Sequence, residues 1–262
     1  GFSTYLIIIL GVGHNTKALA LGYLPLIIMG VLMIFSKDFL KGFLITSLAL
    51  GLQIHSNHYQ MTYYTLIVIM IIFIVFFINY LKRKDFKTFF YCFSIFIISS
   101  LIALMMNAPG LLSTKEYSEF STRSESEITI NPDGSKKESL SGLSKDYITE
   151  YSYGILETLN LFIPKFMGGA SSDRISDDSQ LMDFIKTLDQ QQAQQVYQYS
   201  RLYWGDQPIV AAPAYIGSSI LFIFFLGLFL VKNINMRWLV PSIGISILLS
   251  WGKNFEFLTN LM

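Results

Sequence analysis

The chain has 262 residues, 52% of them hydrophobic and 14% charged, with a formal net charge of +1. A soluble domain carries roughly a quarter charged residues, so this composition, with a mean hydropathy of +0.48, excludes an ordinary water-soluble protein and points to an integral membrane protein. The single cysteine, Cys92, excludes an internal disulfide framework, and no basic stripe suggests a nucleic-acid partner.

In chain order, apolar runs at 18–36, 42–54, 61–81, 88–107, 212–231 and 238–251 predict six transmembrane helices, and 2–12 reads as the cut end of an earlier span. The runs at 42–54 and 238–251 are short, which implies tilt or partial insertion. The chain starts at Gly1 rather than Met and has no secretory leader, so an internal fragment of a longer chain is expected. Residues 1–107 form the first membrane block, 108–211 a polar segment, and 212–262 a second block with an outer-face tail.

The connections alternate in charge. Those at 37–41, 82–87 and 232–237 carry eight Lys/Arg against two Asp. The positive-inside rule puts them in the cytoplasm, and the remaining turns and segment 108–211 outside. That segment is expected to be mainly α-helical and irregular. It has a turn at 131–134, a helix over 179–203 whose Leu181, Phe184, Ile185 and Leu188 follow helical spacing, and a solvated polar face at 189–195.

All three histidines lie in outer-side turns. The i, i+3 spacing of His55 and His58 puts both rings on one helix face. With His14 they would make a three-histidine metal site, so a divalent metal is an open cofactor and none is required. The competing readings are an anion or lipid-phosphate site, and plain interfacial histidines. In Gly13-His14-Asn15-Thr16-Lys17, Asn15 or Thr16 would cap the next helix, and the first-turn amides with Lys17 would hold an anion. The plainer alternative is a capped turn with a snorkelling lysine.

In Tyr203-Trp204-Gly205-Asp206-Gln207-Pro208, Asp206 is a candidate base or metal ligand beside what otherwise reads as an aromatic belt. Ser250-Trp251-Gly252-Lys253-Asn254 repeats the pattern of aromatic anchor, glycine and polar head. Ser121-Thr122-Arg123-Ser124 and Gly142-Leu143-Ser144-Lys145-Asp146-Tyr147 mix cations with hydroxyls, and each alone reads as surface. Nucleophile-elbow, Walker, dinucleotide and Cys-x-x-Cys motifs are absent. The lack of charge in mid-span argues against a voltage sensor or proton relay.

The order of these motifs resembles the YfhO family of bacterial membrane proteins. It is carried by Gly-His-Asn-Thr-Lys at 13–17, His-Ser-Asn-His-Tyr-Gln-Met-Thr-Tyr-Tyr at 55–64, Ser-Thr-Arg at 121–123 and Leu-Ser-Lys-Asp-Tyr-Ile-Thr at 143–149. Tyr-Gly at 153–154, Leu-Phe-Ile-Pro-Lys-Phe at 161–166, Tyr-Trp-Gly-Asp-Gln-Pro at 203–208 and Ser-Trp-Gly-Lys-Asn at 250–254 continue it. The family is similar to polytopic type C glycosyltransferases, which take a sugar from a polyprenyl-phosphate donor.

The resemblance implies an all-α, polytopic transmembrane fold of that type in the bacterial inner membrane, with 108–211 extracytoplasmic. It implies transfer of a sugar from a polyprenyl-phosphate-linked donor to an envelope glycan or lipid acceptor, among membrane lipids. His14, Lys17, His55, His58 and Lys253 would serve the phosphate. Asn15, Gln60, Tyr63, Arg123, Lys145, Trp204 and Asn254 would contact substrate. Asp206, or secondarily Asp146, would act as base, with the family's main catalytic acid in an outer loop upstream of Gly1. A flippase for lipid-linked precursors and a non-catalytic assembly scaffold remain alternatives. The two histidine turns and the 204–208 and 251–254 strips are expected to converge on one outer-face cavity within about 20 Å.

Overall fold

The computed structural model describes residues 3–118, 120–121, 145–173, 175–200, 202–255 and 257. In order, the helices are α1 (Thr4–Gly11), α2 (Asn15–Phe35), α3 (Phe39–His55), α4 (Tyr59–Arg83), α5 (Phe86–Met106) and α6 (Ala108–Ser118). There follow α7 (Lys145–Ile148), a 3₁₀ turn (Leu156–Leu161), α8 (Gln180–Lys186), α9 (Gln190–Tyr199), α10 (Ser218–Leu230), α11 (Ile234–Ser250) and a second 3₁₀ turn (Gly252–Phe255). Among the described residues the only β pairing outside helices is a bridge between Gly168 and Tyr203.

Every expected apolar run contains a helix, but among the described residues only α2, α4 and α5, with 21, 25 and 21 residues, are long and apolar enough to cross a membrane. At 1.5 Å per residue each exceeds about 30 Å. The run at 212–231 turns helical only at Ser218, so α10 has 13 residues and reaches about 20 Å. Gly217, at φ +110°, opens that helix, and the residues before it stay extended and bonded elsewhere. The single helix expected over 179–203 is two. α8 stops at Lys186, and Asp189 accepts from the Gln192 N–H at 2.9 Å to cap the start of α9. An acidic N-cap outcompetes a continuous helix because it satisfies an amide the preceding turn would otherwise hold.

The chain groups into two compact units. One comprises His14–Ile148 and Asn233–Ser242 and contains the bundle α2–α5. Its hairpin turns share one geometry. Lys37, Asn57 and Lys84 take left-handed conformations at φ 68°, 55° and 56°, just past the ends of α2, α3 and α4. After α2 the Asp38 N–H bonds to Met33 O at 3.0 Å, and after α4 the Asp85 N–H bonds to Tyr80 O at 3.1 Å. These are the six-to-one bonds that close a helix C-terminus. The next residue in each case begins the following helix.

Small residues let α2 and α3 approach closely. A Cβ on Gly42 would stand 2.7 Å from Ile34 N and 2.9 Å from Gly30 O, both backbone atoms. Ile27, Val31 and Ile34 of α2, Ile69 and Ile72 of α4, and Cys92 of α5 are almost wholly enclosed. The opposite faces are equally apolar and exposed. Leu40, Leu44 and Leu48, four residues apart along α3, are 69%, 54% and 56% exposed. A stripe of that kind suits lipid, not water.

The other unit comprises Gly1–Gly13, Thr149–Lys232 and Ile243–Met262. It is tied together by hydrogen bonds between segments distant in the chain. Thr4 N–H donates to Tyr215 O at 3.1 Å, and Tyr215 N–H returns to Thr4 Oγ1 at 2.8 Å. Tyr153 N–H reaches Ser250 O at 2.8 Å. Trp204 N–H donates to Met167 O at 2.9 Å, and Ser171 and Val210 exchange bonds at 2.8 Å each. Gly168, at φ +90°, allows this pairing, because a Cβ there would run into Leu202 O.

Candidate functional site

The site in the second unit is built around one buried carboxylate. The 3₁₀ turn Leu156–Leu161 points Glu157 and Asn160 inward, each 1% exposed. Glu157 accepts from the Gly154 N–H and the Tyr203 hydroxyl, and from the Gln207 N–H at 3.5 Å. Asn160 Oδ1 accepts from Met167 N–H at 3.0 Å, and Gln207 Nε2 donates to Tyr151 O at 3.1 Å. A buried carboxylate survives when several donors replace its water, so Glu157 ties the 151–154 segment to the 203–207 strip.

The tail strip joins the same frame. Trp251 Nε1 donates to Thr158 Oγ1 at 2.8 Å, Lys253 N–H to Ser152 Oγ at 2.9 Å, and Asn254 Nδ2 to Tyr153 O at 2.9 Å. The result is a cleft of about 430 Å³ whose walls include Gly154, Glu157, Met167, Trp204, Asp206 and Asn254. Trp204 is 74% exposed and Asp206 is also exposed. Both carboxylates flank Gly154: a Cβ there would lie 2.6 Å from Asp206 Oδ2 and 2.9 Å from Glu157 Oε2. One acid is locked by donors, and the other is open to a ligand.

Behind Gly154, Tyr153 faces a narrower, largely apolar slot of about 230 Å³ with Tyr5, Thr158, Leu161, Tyr215 and Ile216. Burial pushes the Tyr153 phenol pKa up, and the Glu157 charge adds to this, against a lowering hydrogen bond from the Asn160 side chain. The phenol therefore stays protonated.

In the first unit, His14 and His58 sit at the N-caps of α2 and α4, where neither side chain makes a capping bond. Asn15 is thus the first helical residue rather than the expected cap, and Thr16 lies inside the helix. His58 is half-buried, and its pKa is lowered mainly by burial, with the positive charges of Lys17 and His14 adding to the effect. His14 and Lys17 therefore lie close enough to His58 for their charge to oppose its protonation.

His55 does not share a helix face with His58. It ends α3, exposed, and the left-handed Asn57 reverses the chain between them. The i, i+3 argument holds only inside a continuous helix. Gln60 Nε2 is bonded to the Tyr64 hydroxyl at 2.8 Å, and Tyr63 is exposed beside the Tyr64 ring at 6.0 Å.

Arg123 and the turn expected at 131–134 lie outside the described residues, as does the side chain of Lys145. Asp146 is exposed on the one-turn helix α7. Lys253 is exposed next to Asn254. Among the described residues no three of His, Cys, Asp and Glu come together as a metal site. The four strips expected to converge divide two and two between the units. Sequence reasoning missed Glu157, Asn160 and Tyr203. The available signal was that Glu157 is the only carboxylate between Glu150 and Asp173, set in an otherwise apolar stretch.

No protein-family model, curated protein or solved structure matches the chain.

Proposed function

We propose that the protein is a membrane glycosyltransferase that moves a sugar from a lipid-phosphate-linked donor to an envelope acceptor at the extracytoplasmic face. The observation that carries this reading is the cleft in which exposed Asp206 and Trp204 stand on a frame fixed by buried Glu157. A carboxylate beside an exposed indole suits a sugar, whose hydroxyls and apolar ring face need both kinds of partner. Asp206 takes the proton of the acceptor hydroxyl. The acceptor oxygen forms a bond to the anomeric carbon as the bond from that carbon to the phosphate oxygen breaks. The electron pair leaves with the lipid phosphate, whose charge is offset by Lys253, the exposed neighbour of the cleft residue Asn254. Glu157 is a positioning residue, holding the Tyr203 hydroxyl and the Gln207 N–H on either side of Asp206.

Several polar groups inside the helix bundle are spent on packing, which favours transfer over transport, while Thr46 Oγ1, Gln53 Oε1 and Thr62 Oγ1 are buried without a partner among the described residues. The hydroxyls of Ser47, Thr65 and Ser99 bond to carbonyls of their own helices, Phe43, Met61 and Ile95, at 2.8–2.9 Å. Gln53 Nε2 spans Ala20 O and Thr65 Oγ1 at 2.9 Å each. Groups consumed in packing do not line a hydrophilic path for a head group.

The test is transfer of radiolabelled sugar from a polyprenyl-phosphate donor by the full-length protein in proteoliposomes. Asp206→Asn is expected to lower kcat at least a hundredfold without changing the melting temperature, and Trp204→Ala to raise KM. Unaltered turnover in Asp206→Asn, or donor translocation without any transfer, overturns the proposal.

A further inference from the structure

A further cavity lies at the lysine-rich end of the helix bundle. It is a groove of about 520 Å³ lined by Lys37, Lys87 and Thr88 at its charged end and by Phe39, Phe90, Tyr91 and Ser94 along its length. We propose that this groove is a binding site for an anionic phospholipid, with the phosphate between Lys37 and Lys87 and an acyl chain along the aromatic wall.

The placement of each group follows from the turns. Lys37 is the left-handed residue closing α2, and Lys87 lies in the first turn of α5, so both cations stand where helices leave the hydrocarbon. Of the neighbouring carboxylates, one is paired and the other caps α5, its charge also acting on that of Lys37. Asp38 pairs with Lys41 at 3.1 Å, and Asp85 accepts from Thr88 N–H at 3.2 Å. The wall is built by Phe39 standing edge-on to Tyr91, ring centroids 4.9 Å apart at 88°. Ser94 turns its hydroxyl back to Phe90 O at 2.9 Å, leaving a largely apolar lining at that depth. From Lys87 to Ser94 is about 10 Å along the helix axis, roughly the distance from a headgroup phosphate into the acyl region.

Phe90 and Tyr91 are 57% and 55% exposed on a helix long and apolar enough to span a membrane. Cations at the mouth and aromatics beneath match a lipid in both charge and depth. A free phosphate would leave the aromatic wall without an occupant. Lys82, Arg83 and Lys84 add positive charge at the same end of α4.

The test uses the full-length protein in phosphatidylcholine bilayers containing 10% spin-labelled phosphatidylglycerol or, in parallel, spin-labelled phosphatidylcholine. The readout is the motionally restricted fraction of each label. The wild type is expected to prefer phosphatidylglycerol, and Lys37→Gln and Lys87→Gln to lose about fivefold of that preference each. Tyr91→Ala should weaken restriction of both labels. Lys41→Gln, whose lysine is paired with Asp38, should keep most of the preference. Equal loss in Lys41→Gln and Lys87→Gln would mean a diffuse surface field and overturn the site. So would an unchanged preference in the protein carrying both Lys37→Gln and Lys87→Gln, or displacement of the label by millimolar inorganic phosphate.

Discussion

Replacing Glu157 by alanine tests whether one buried carboxylate organises the cleft. The substitution removes the acceptor for the Tyr203 hydroxyl and the Gly154 N–H, in a spot where Tyr203 is 6% exposed and Glu157 1%. Water does not readily reach groups at that depth, and each orphaned donor costs about 1–3 kcal/mol. The longer contact to Gln207 N–H, at 3.5 Å, adds little. Two stranded donors together give a loss of about 4 kcal/mol. For a chain of this size that corresponds to a drop of roughly 8–16 °C in melting temperature. Intrinsic fluorescence of Trp204 and Trp251, both in this unit, follows the transition directly in detergent. Glu157→Gln keeps an acceptor oxygen but turns an amide toward one of the donors, so its loss should be about half as large. A Glu157→Ala protein melting within 2 °C of wild type would mean that the 203–207 strip is held by something else, and the positioning role would fall.

Gly205→Ala should act on the same hub from the other side. Its Cβ would collide with the Glu157 carboxylate and the Tyr203 hydroxyl, costing about 1–3 kcal/mol, and calorimetry that finds no loss would contradict the packing described. In the bundle, Gly42→Ala should destabilise by a similar amount because its Cβ meets the backbone at Ile34 N and Gly30 O as well as the Ile34 side chain. Gly22→Ala, with nothing within 4 Å of the added carbon, should be neutral or slightly stabilising by helix propensity, and reversal of that order in denaturant titrations would refute the close α2–α3 crossing. The lowered His58 pKa makes the unfolded chain the tighter proton binder. Stability therefore falls as pH drops below about 6.5 and levels off below the folded-state value. Melting temperatures between pH 7.5 and 5.5 should show this decline shrink in His58→Gln, and an identical slope in that variant would exclude the histidine as its source.

The sequence by itself determined where the apolar helices lie. A run of apolar residues must bond its own backbone in lipid, so α2, α4 and α5 follow from composition and length alone. The lysine-rich and histidine turns were legible for the same reason: polar residues interrupting such runs can only be connections. What sequence could not fix were lengths and pairings. The shortness of α10 depends on Gly217 and on the extended residues before it. The separation of His55 from His58 depends on a left-handed Asn57, which the i, i+3 spacing does not reveal. Asp206 and Trp204 stood out as polar and aromatic residues beside a span, but their cleft depends on Glu157, 46 residues from Tyr203 in the chain. A buried carboxylate is stable only where distant donors replace its water, and those donors come together only when the chain folds.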